Sequence, residues 1–406
     1  MTYRLARLMA KSPRSSATRL TRDAARLVFL CKSLHASGSR MEDQYWESEI
    51  ESLLSKLLKG GQDNALENAL EHLSEHDPDA FEVLLEQTET HTESFTATHE
   101  KLGYDVLLIT APFAVWTRYQ LPKGVLSERE LVALTGALQD CVLAPDVTLA
   151  AVGQLIGLDE MPRSFVQTWV WLHKLGQSAM GAKSSVPAPN VAMELPGMLA
   201  DAKHLVIALA VPKGQPIFKW QSDEKTTREQ CLAMWKAAST PVLGNVLAGC
   251  QFEVLLPDAY YVSMRDADKH IRPIAIRAAS HWLQNALEIP ASGIRATIIG
   301  MGEQKADEYR VGYSLQTHTD VIYGTVWPVF GREDTPSENN LMIVDTIDEI
   351  AAVLRESGIR DIRRLPGIVA PEYCDDCGAP LFPNPLGELV HAELPEEAAH
   401  APAHFH

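Results

Sequence analysis

"YDVLLITAPFAVW", residues 104–116, is the stretch on which the reading of this chain turns. After Asp105 it carries no charge, and its apolar residues follow no helical period. Such a run reads as a buried strand. Before it the sequence is helical in pattern; after it, strand-like and helix-like segments alternate. The same stretch supplies the longest uncharged apolar run of the chain, "VLLITAPFAVWT", which is far below the ~20 residues a membrane-crossing helix needs.

Upstream, residues 23 to 97 read as all helix. In "MEDQYWESEIESLLSKLLKGG" the apolar positions Trp46, Ile50, Leu53, Leu54, Leu57 and Leu58 share one helix face, and Gly60-Gly61 stops it. Leu66, Ala69, Leu70 and Leu73 mark a second helix. Asp77-Pro78 opens a third, with Asp77 as N-cap and Pro78 in the first turn. Downstream, "LSERELVALTGALQD" reads as a helix with a capping box from Ser127 to Glu130. "DVTLAAVG" is a strand and "PRSFVQTWVWLHKLGQSAM" a long apolar helix. "KHLVIALAV" and "PIFKW" suggest a hairpin. "TTREQCLAMWKAAS" is a helix boxed from Thr226 to Glu229, and "QFEVLLPDAYYVSM" is a strand.

The order then repeats. A helix opens at Pro273, followed by the strand "IRATIIG", the hairpin "YRVGYSLQTHTDVIYGTVWPV", a helix opening at Thr346 with box partner Glu349, and the strand "DIRRLPGIV". The two hairpins end alike, at Trp220 and Trp327. The expected fold class is therefore α+β: an N-terminal acidic helical segment, two ferredoxin-like α/β units with antiparallel or mixed sheets, and a zinc-knuckle-like tail. The expected boundaries are a basic disordered arm at 1–22, a helical domain at 23–100, α/β units at 101–250 and 251–370, and the tail at 371–406.

The chain has 406 residues, 46% hydrophobic and 22% charged, which is enough for several cores. Its net charge of −17 is uneven. Residues 1–22 carry six basic side chains and no acid, whereas in residues 42–100 sixteen acids face two lysines, a net −14. Beyond the arm no basic face is offered to nucleic acid, and the acidity disfavours anionic membranes. The N-terminus lacks the apolar core of a secretory signal, and four of the six cysteines stand alone in apolar surroundings, so the expected home is the cytoplasm.

Familiar catalytic motifs do not hold up. "GMGEQK" lacks the third glycine of a dinucleotide loop and runs into a strand. There is no phosphate loop and no G-x-S-x-G elbow. "HLSEH" places His72, Glu75 and His76 in the order of an inverted zinc protease, but it closes an acidic helix, where histidines suit the helix dipole. "MRDADKHIRP" crowds Arg265, Asp266 and His270 into what reads as a strand-to-helix loop. "QTHTD" adds His318 and Asp320 at a hairpin tip. Such loops are where α/β proteins place ligand groups, although solvated turns look the same.

"CDDCGAPLFPNPLGELVHAELPE", from Cys374, is more pointed. Two thiols two residues apart with Gly378 behind them have the spacing of a metal knuckle. No second C-x-x-C follows; His391 and the tail histidines His400, His404 and His406 do. Cys374, Cys377, His391 and His404 would form a closed Cys2His2 zinc site, structural because four protein ligands leave no open position. A redox C-x-x-C would need a helix after it, which Pro380 and Pro383 oppose. Two free thiols are the remaining alternative.

"LVFLCKSLHASGSRMEDQYWE", "VGYSLQTHTDVIYGTVWPVFGRED" and the cysteine-bearing stretch together resemble a bacterial family catalogued as domain of unknown function 2863. The resemblance runs from about Leu27 to the end. It implies a soluble bacterial protein and supplies no activity, substrate or catalytic residue. Two readings of function follow from the residues. One is a non-catalytic binding or regulatory protein with a structural zinc site, its partner an unknown protein or small molecule. The other is an enzyme with a cleft between the α/β units lined by Arg265, Asp266, His270 and His318.

Overall fold

The structure is a computed structural model that describes residues 20–119, 121–190, 199–302, 305–329 and 345–394. The basic arm up to residue 19 and the proposed ligand His404 lie outside these residues. Helix α1 (Arg22–His35) already begins at the last residue assigned to the arm. With α2 (Arg40–Lys59), α3 (Asp63–His76) and α4 (Pro78–Glu93) it closes around Leu27, Leu30, Ile50, Leu54, Leu57, Leu66, Leu73 and Leu84. The helix ends follow the sequence signals. The Asp77 carboxylate accepts from the Ala80 N–H, Pro78 sits in the first turn, and Gly60 caps α2. The last residues expected to be helical are instead strand β1 (Ser94–His99), paired with β2 (Leu102–Trp116).

Strand β2 is the axis of the first sheet. It pairs antiparallel with β4 (Ala200–Pro212) along thirteen consecutive residues, from Tyr104↔Pro212 to Trp116↔Ala200. Strand β3 (Thr148–Ala151) lies outside β4. Strands β5 (Gln251–Val254) and β6 (Asp258–Ala259) continue the edge that β1 begins on the other side of β2. Both faces of β2 and β4 are apolar, so both recruit helices. Ile109, Ala111, Phe113, Leu205, Ile207 and Leu209 meet α5 (Glu128–Cys141) and α8 (Arg228–Val246). Val106, Leu108, Val206 and Ala208 meet α6 (Phe165–Ala179) and the start of α9 (Tyr260–Ala286). The Ser127–Glu130 box is present. The second box is Thr227–Gln230, not Thr226–Glu229, because the Thr226 hydroxyl is already donating to Asp223. "PIFKW" is no hairpin strand. The Gln221 amide oxygen accepts from the Ile217 and Phe218 N–H groups and starts the short helix α7 (Lys219–Ser222).

The largest departure from the sequence reading is α9 (Tyr260–Ala286). The strand expected through Met264 stops at Ala259 and belongs to the first sheet. The helix expected from Pro273 starts thirteen residues earlier, with Pro273 inside it. An interior proline costs the hydrogen bond to the residue four earlier and bends the helix without having to end it. Buried Tyr260, Tyr261 and Met264 keep the first half on the first sheet. Ile276, Ala279, Trp282 and Leu283 place the second half on the second.

That second sheet has the order β10-β7-β8-β9, from β7 (Ile294–Gly302), β8 (Ala306–Leu315), β9 (Tyr323–Pro328) and β10 (Asp361–Val369). Only β10 against β7 is parallel. Helix α10 (Thr346–Glu356), capped by Asp345 through the Ile347 N–H, shares one face of it with α9. The second α/β half therefore does not repeat the first: its opening strand sits in the other sheet, and its strand order differs. The fold class is α+β, with ten helices and antiparallel or mixed sheets among the described residues. No helix among them is long and apolar enough to cross a membrane.

Candidate metal centre

The tail folds as a knuckle and a hairpin. Tyr373 bridges Pro380, the Cys374 N–H donates to the Ala379 carbonyl at 2.7 Å, and the Gly378 N–H returns to the Cys374 carbonyl at 2.8 Å. Gly378 has φ +70°, a left-handed conformation that glycine adopts at no steric cost. This turn aims the backbone N–H groups of Cys377 and Asp376 at the Cys374 sulfur, which holds its thiol below the ordinary value.

Strands β11 (Phe382–Pro383) and β12 (Leu389–Val390) then pair antiparallel. Asn384 builds the turn between them. Its side-chain oxygen accepts from the Leu386 and Glu388 N–H groups at 2.9 Å each, and its amide donates to the Glu388 carboxylate at 2.8 Å. The hairpin returns His391 to the knuckle. Its Nε2 lies 3.2 Å from the Cys377 sulfur, and the two sulfurs and an imidazole nitrogen all lie within 4.8 Å of one another. Among the described residues, no fourth histidine, cysteine or carboxylate joins this group.

Arg310 on β8 fastens the knuckle to the second sheet. Its side chain is fully buried. Nη1 donates at 2.6 Å to the carbonyls of Glu372 and Leu381, one on each side of the cysteines, and the guanidinium lies 4.9 Å from the centre of the Tyr373 ring. Nε donates at 2.7 Å to buried Glu308. Two glycines make room for the hairpin. A Cβ on Gly312 would lie 2.1 Å from the Pro383 carbonyl oxygen, and one on Gly324 would lie 2.3 Å from the Phe382 ring. The Arg363 guanidinium donates to the Pro385 carbonyl, and the Glu393 N–H donates to the Val321 carbonyl. The spacing of Cys374, Cys377 and His391 is legible in the sequence. Nothing local marks Glu308, Arg310, Gly312 or Gly324, whose part depends on contacts far along the chain.

The residues of the alternative site are not gathered in this way. Arg265, Asp266 and His270 sit on α9, not in a loop. Arg265 pairs with Glu89 of α4 at 2.6 Å, His270 with Glu253 of β5 at 2.8 Å, and Asp266 is exposed. His318 is exposed at the β8–β9 turn, where its Nδ1 meets the Thr317 hydroxyl. His72 and His76 stack on each other at the exposed end of α3. The four other cysteines are buried or half-buried, and burial raises their thiols, that of Cys31 to about 12.

The family model described as "Protein of unknown function (DUF2863)" matches residues 12–405. No curated protein and no solved structure matches the chain.

Proposed function

We propose that this chain, which belongs to the DUF2863 family, is a non-catalytic binding or regulatory protein whose tail is held by one structural zinc ion. The observation that carries this reading is the convergence of the Cys374 and Cys377 sulfurs and an imidazole nitrogen of His391 within 4.8 Å on a Cys-x-x-Cys-Gly turn. Two thiolates and an imidazole suit zinc, a borderline-soft ion that takes tetrahedral sulfur and nitrogen sites. His404 is our proposal for the fourth ligand, closing the site against water and substrate. The ion would supply what the tail lacks, since two two-residue strands with a short apolar contact do not fold unaided.

The rest of the reading concerns the scaffold. Strand order β5-β2-β4-β3, with α5 and α8 on one face, supports a ferredoxin-like arrangement for the first α/β unit, with α6 inserted between its second and third strands. Because Arg265, His270 and His318 each engage a different partner, we favour a binding role over an enzyme using them. The acidic faces of α2–α4 would suit a basic protein partner, and reduced thiolates suit the cytoplasm.

Elemental analysis of full-length protein purified without a histidine tag tests the reading. About one zinc per chain is expected, lost in Cys374→Ser and Cys377→Ser and weakened in His391→Ala, with the helices of the two α/β units retained. A preparation that carries no zinc and takes up none under reducing conditions ends this reading. A His404→Ala variant with unchanged zinc affinity removes His404 alone.

A further inference from the structure

The metal site also sets two thiols apart from every other cysteine of the chain. Cys377 is exposed and Cys374 half-exposed, at the surface of the tail. Cys31, Cys141 and Cys231 are buried, and Cys250 is half-buried beside Thr117. The Cys374 and Cys377 sulfurs lie within 4.8 Å on a single turn, close enough for a small rotation to bond them. What they fasten is distinctive as well. Beneath the knuckle lies the polar face of the second sheet, where Arg310 is fully buried and Glu308 is 1% exposed. Arg310 holds the tail through the carbonyls of Glu372 and Leu381, which flank the cysteines on either side, while Glu308 accepts from its Nε.

We propose that Cys374 and Cys377 are an oxidation site for peroxide, and that closing them into a disulfide ejects the metal and frees the tail from the Arg310 face. The inference rests on the zinc reading above. Cys377, the more exposed sulfur, attacks one peroxide oxygen. The O–O bond breaks, hydroxide leaves, and Cys377 becomes a sulfenic acid. The Cys374 thiolate attacks that sulfur, the S–S bond forms, and a second hydroxide leaves. Two thiolates give up two electrons, one hydrogen peroxide accepts them, and two protons from solvent complete two waters. The site keeps only imidazole donors, too few to hold zinc. A thiol reductant and zinc restore the start.

The test uses the full-length, zinc-loaded protein. Zinc content is measured first, so that a zinc-free protein, which would end the reading and this inference together, is recognised before oxidant is added. Hydrogen peroxide is then added while a chromophoric chelator reports free zinc. Alkylation and peptide mass spectrometry report the thiols. The expected result is one zinc released for each disulfide, with a mass loss of about 2 Da confined to the Cys374–Cys377 peptide. Proteolysis should open residues 371–394 in step, and dithiothreitol with zinc should reverse all three. The Cys374→Ser variant should form no such disulfide. His391→Ala keeps both thiols, and should oxidise faster than the parent because less metal shields them. Zinc retained at peroxide levels that oxidise Cys250, or zinc lost with both sulfurs still alkylatable, overturns the proposal while leaving the structural zinc in place.

Discussion

The two sheets solve one problem in opposite ways. In the first, β2 and β4 are apolar on both faces, so helices cover both: α5 and α8 over Phe113 and Ile207, α6 and α9 over Leu108 and Val206. In the second, one face is apolar and the other is mixed. Ala296, Ile298, Val311 and Tyr313 meet α9 and α10, while the alternate residues Thr297, Ile299, Met301, Glu308, Arg310, Gly312 and Ser314 point away from that core. That other face is covered by the tail. It leaves Thr297 Oγ1, Ser314 Oγ, one Glu308 oxygen and one Arg310 nitrogen buried without a hydrogen-bond partner among the described residues. An apolar face attracts its cover by desolvation alone. A face on which Ile299 and Met301 stand among glycines, hydroxyls and a buried ion pair offers less such drive, and its cover is also fastened. The knuckle, Arg310 and the proposed metal are the fastening.

The sharpest way to break this contrast is to remove the fastening from beneath. Arg310→Met leaves Glu308 buried without its cation and takes the donor from the Glu372 and Leu381 carbonyls. Breaking a buried pair from one side costs about 3–5 kcal/mol. Urea unfolding should show that loss, and zinc affinity, measured against a chelator, should fall although no ligand has changed. Adding Glu308→Leu should restore much of the stability but not the affinity, since the two carbonyls still lack their donor. Arg310→Met with parental zinc affinity would show that the tail holds itself.

The complementary experiment is made in the first sheet. Leu209 of β4 is buried beneath the helices of one face. Leu209→Ala should cost about 3 kcal/mol through lost burial and the cavity it leaves. Zinc affinity should not change. A parallel fall in both would mean that the sheets unfold as one unit through α9, and that the contrast is one of appearance only.

A third effect separates the sheets by pH. Glu93 of α4 accepts from the Tyr261 N–H at the start of α9, and burial raises its carboxyl to about 7, with Glu89 and Asp258 adding to the rise and Arg265 opposing it. Its folded value exceeds its unfolded one. The stability it contributes is therefore complete below the unfolded value near 4.5, and is lost as pH climbs through about 7. The loss is on the order of 2 kcal/mol after allowing for relaxation around the site. Glu93→Gln keeps an acceptor for Tyr261 and cannot ionise. It should exceed the parent only slightly at pH 5 and clearly at pH 8 in urea unfolding, with zinc retention unmoved. A parent whose stability is flat from pH 5 to 8 contradicts this.

What the sequence disclosed follows the same division. The continuous apolar runs of β2 and β4, the Asp77-Pro78 and Ser127–Glu130 helix starts, and the Cys-x-x-Cys-Gly turn are local patterns, and each appears where its residues predict. Helix α9 is hard to read from sequence because its first half carries Arg265, Asp266, Asp268, Lys269, His270 and Arg272. Their density masks the buried Tyr260, Tyr261, Met264 and Ala267, and Pro273 has the look of a helix start. The means of fastening the tail was illegible for a different reason. Arg310 meets its carbonyl partners 62 and 71 residues away, and no periodicity marks such a contact. A glycine in a strand signals only that something approaches closely, not what.

Gly312 and Gly324 allow the gentlest test, because they touch neither the ligands nor the ion pair. Both lie on strands, and no left-handed backbone angle accounts for either glycine. Their reason is space: added Cβ atoms would meet the Pro383 carbonyl oxygen at 2.1 Å and the Phe382 ring at 2.3 Å. A ring can turn, whereas a backbone carbonyl in the paired β11 strand cannot move without moving the hairpin. Gly312→Ala should therefore cost more than Gly324→Ala, about 2 kcal/mol against about 1. In both, zinc affinity should fall with the docking, because ions bound to an undocked tail lose the support of Arg310. Hydrogen exchange should show the change at residues 381–391 and leave β2 and β4 as protected as before. If Gly312→Ala leaves exchange in the hairpin unaltered, the tail does not rest on this face as closely as the contrast between the sheets requires.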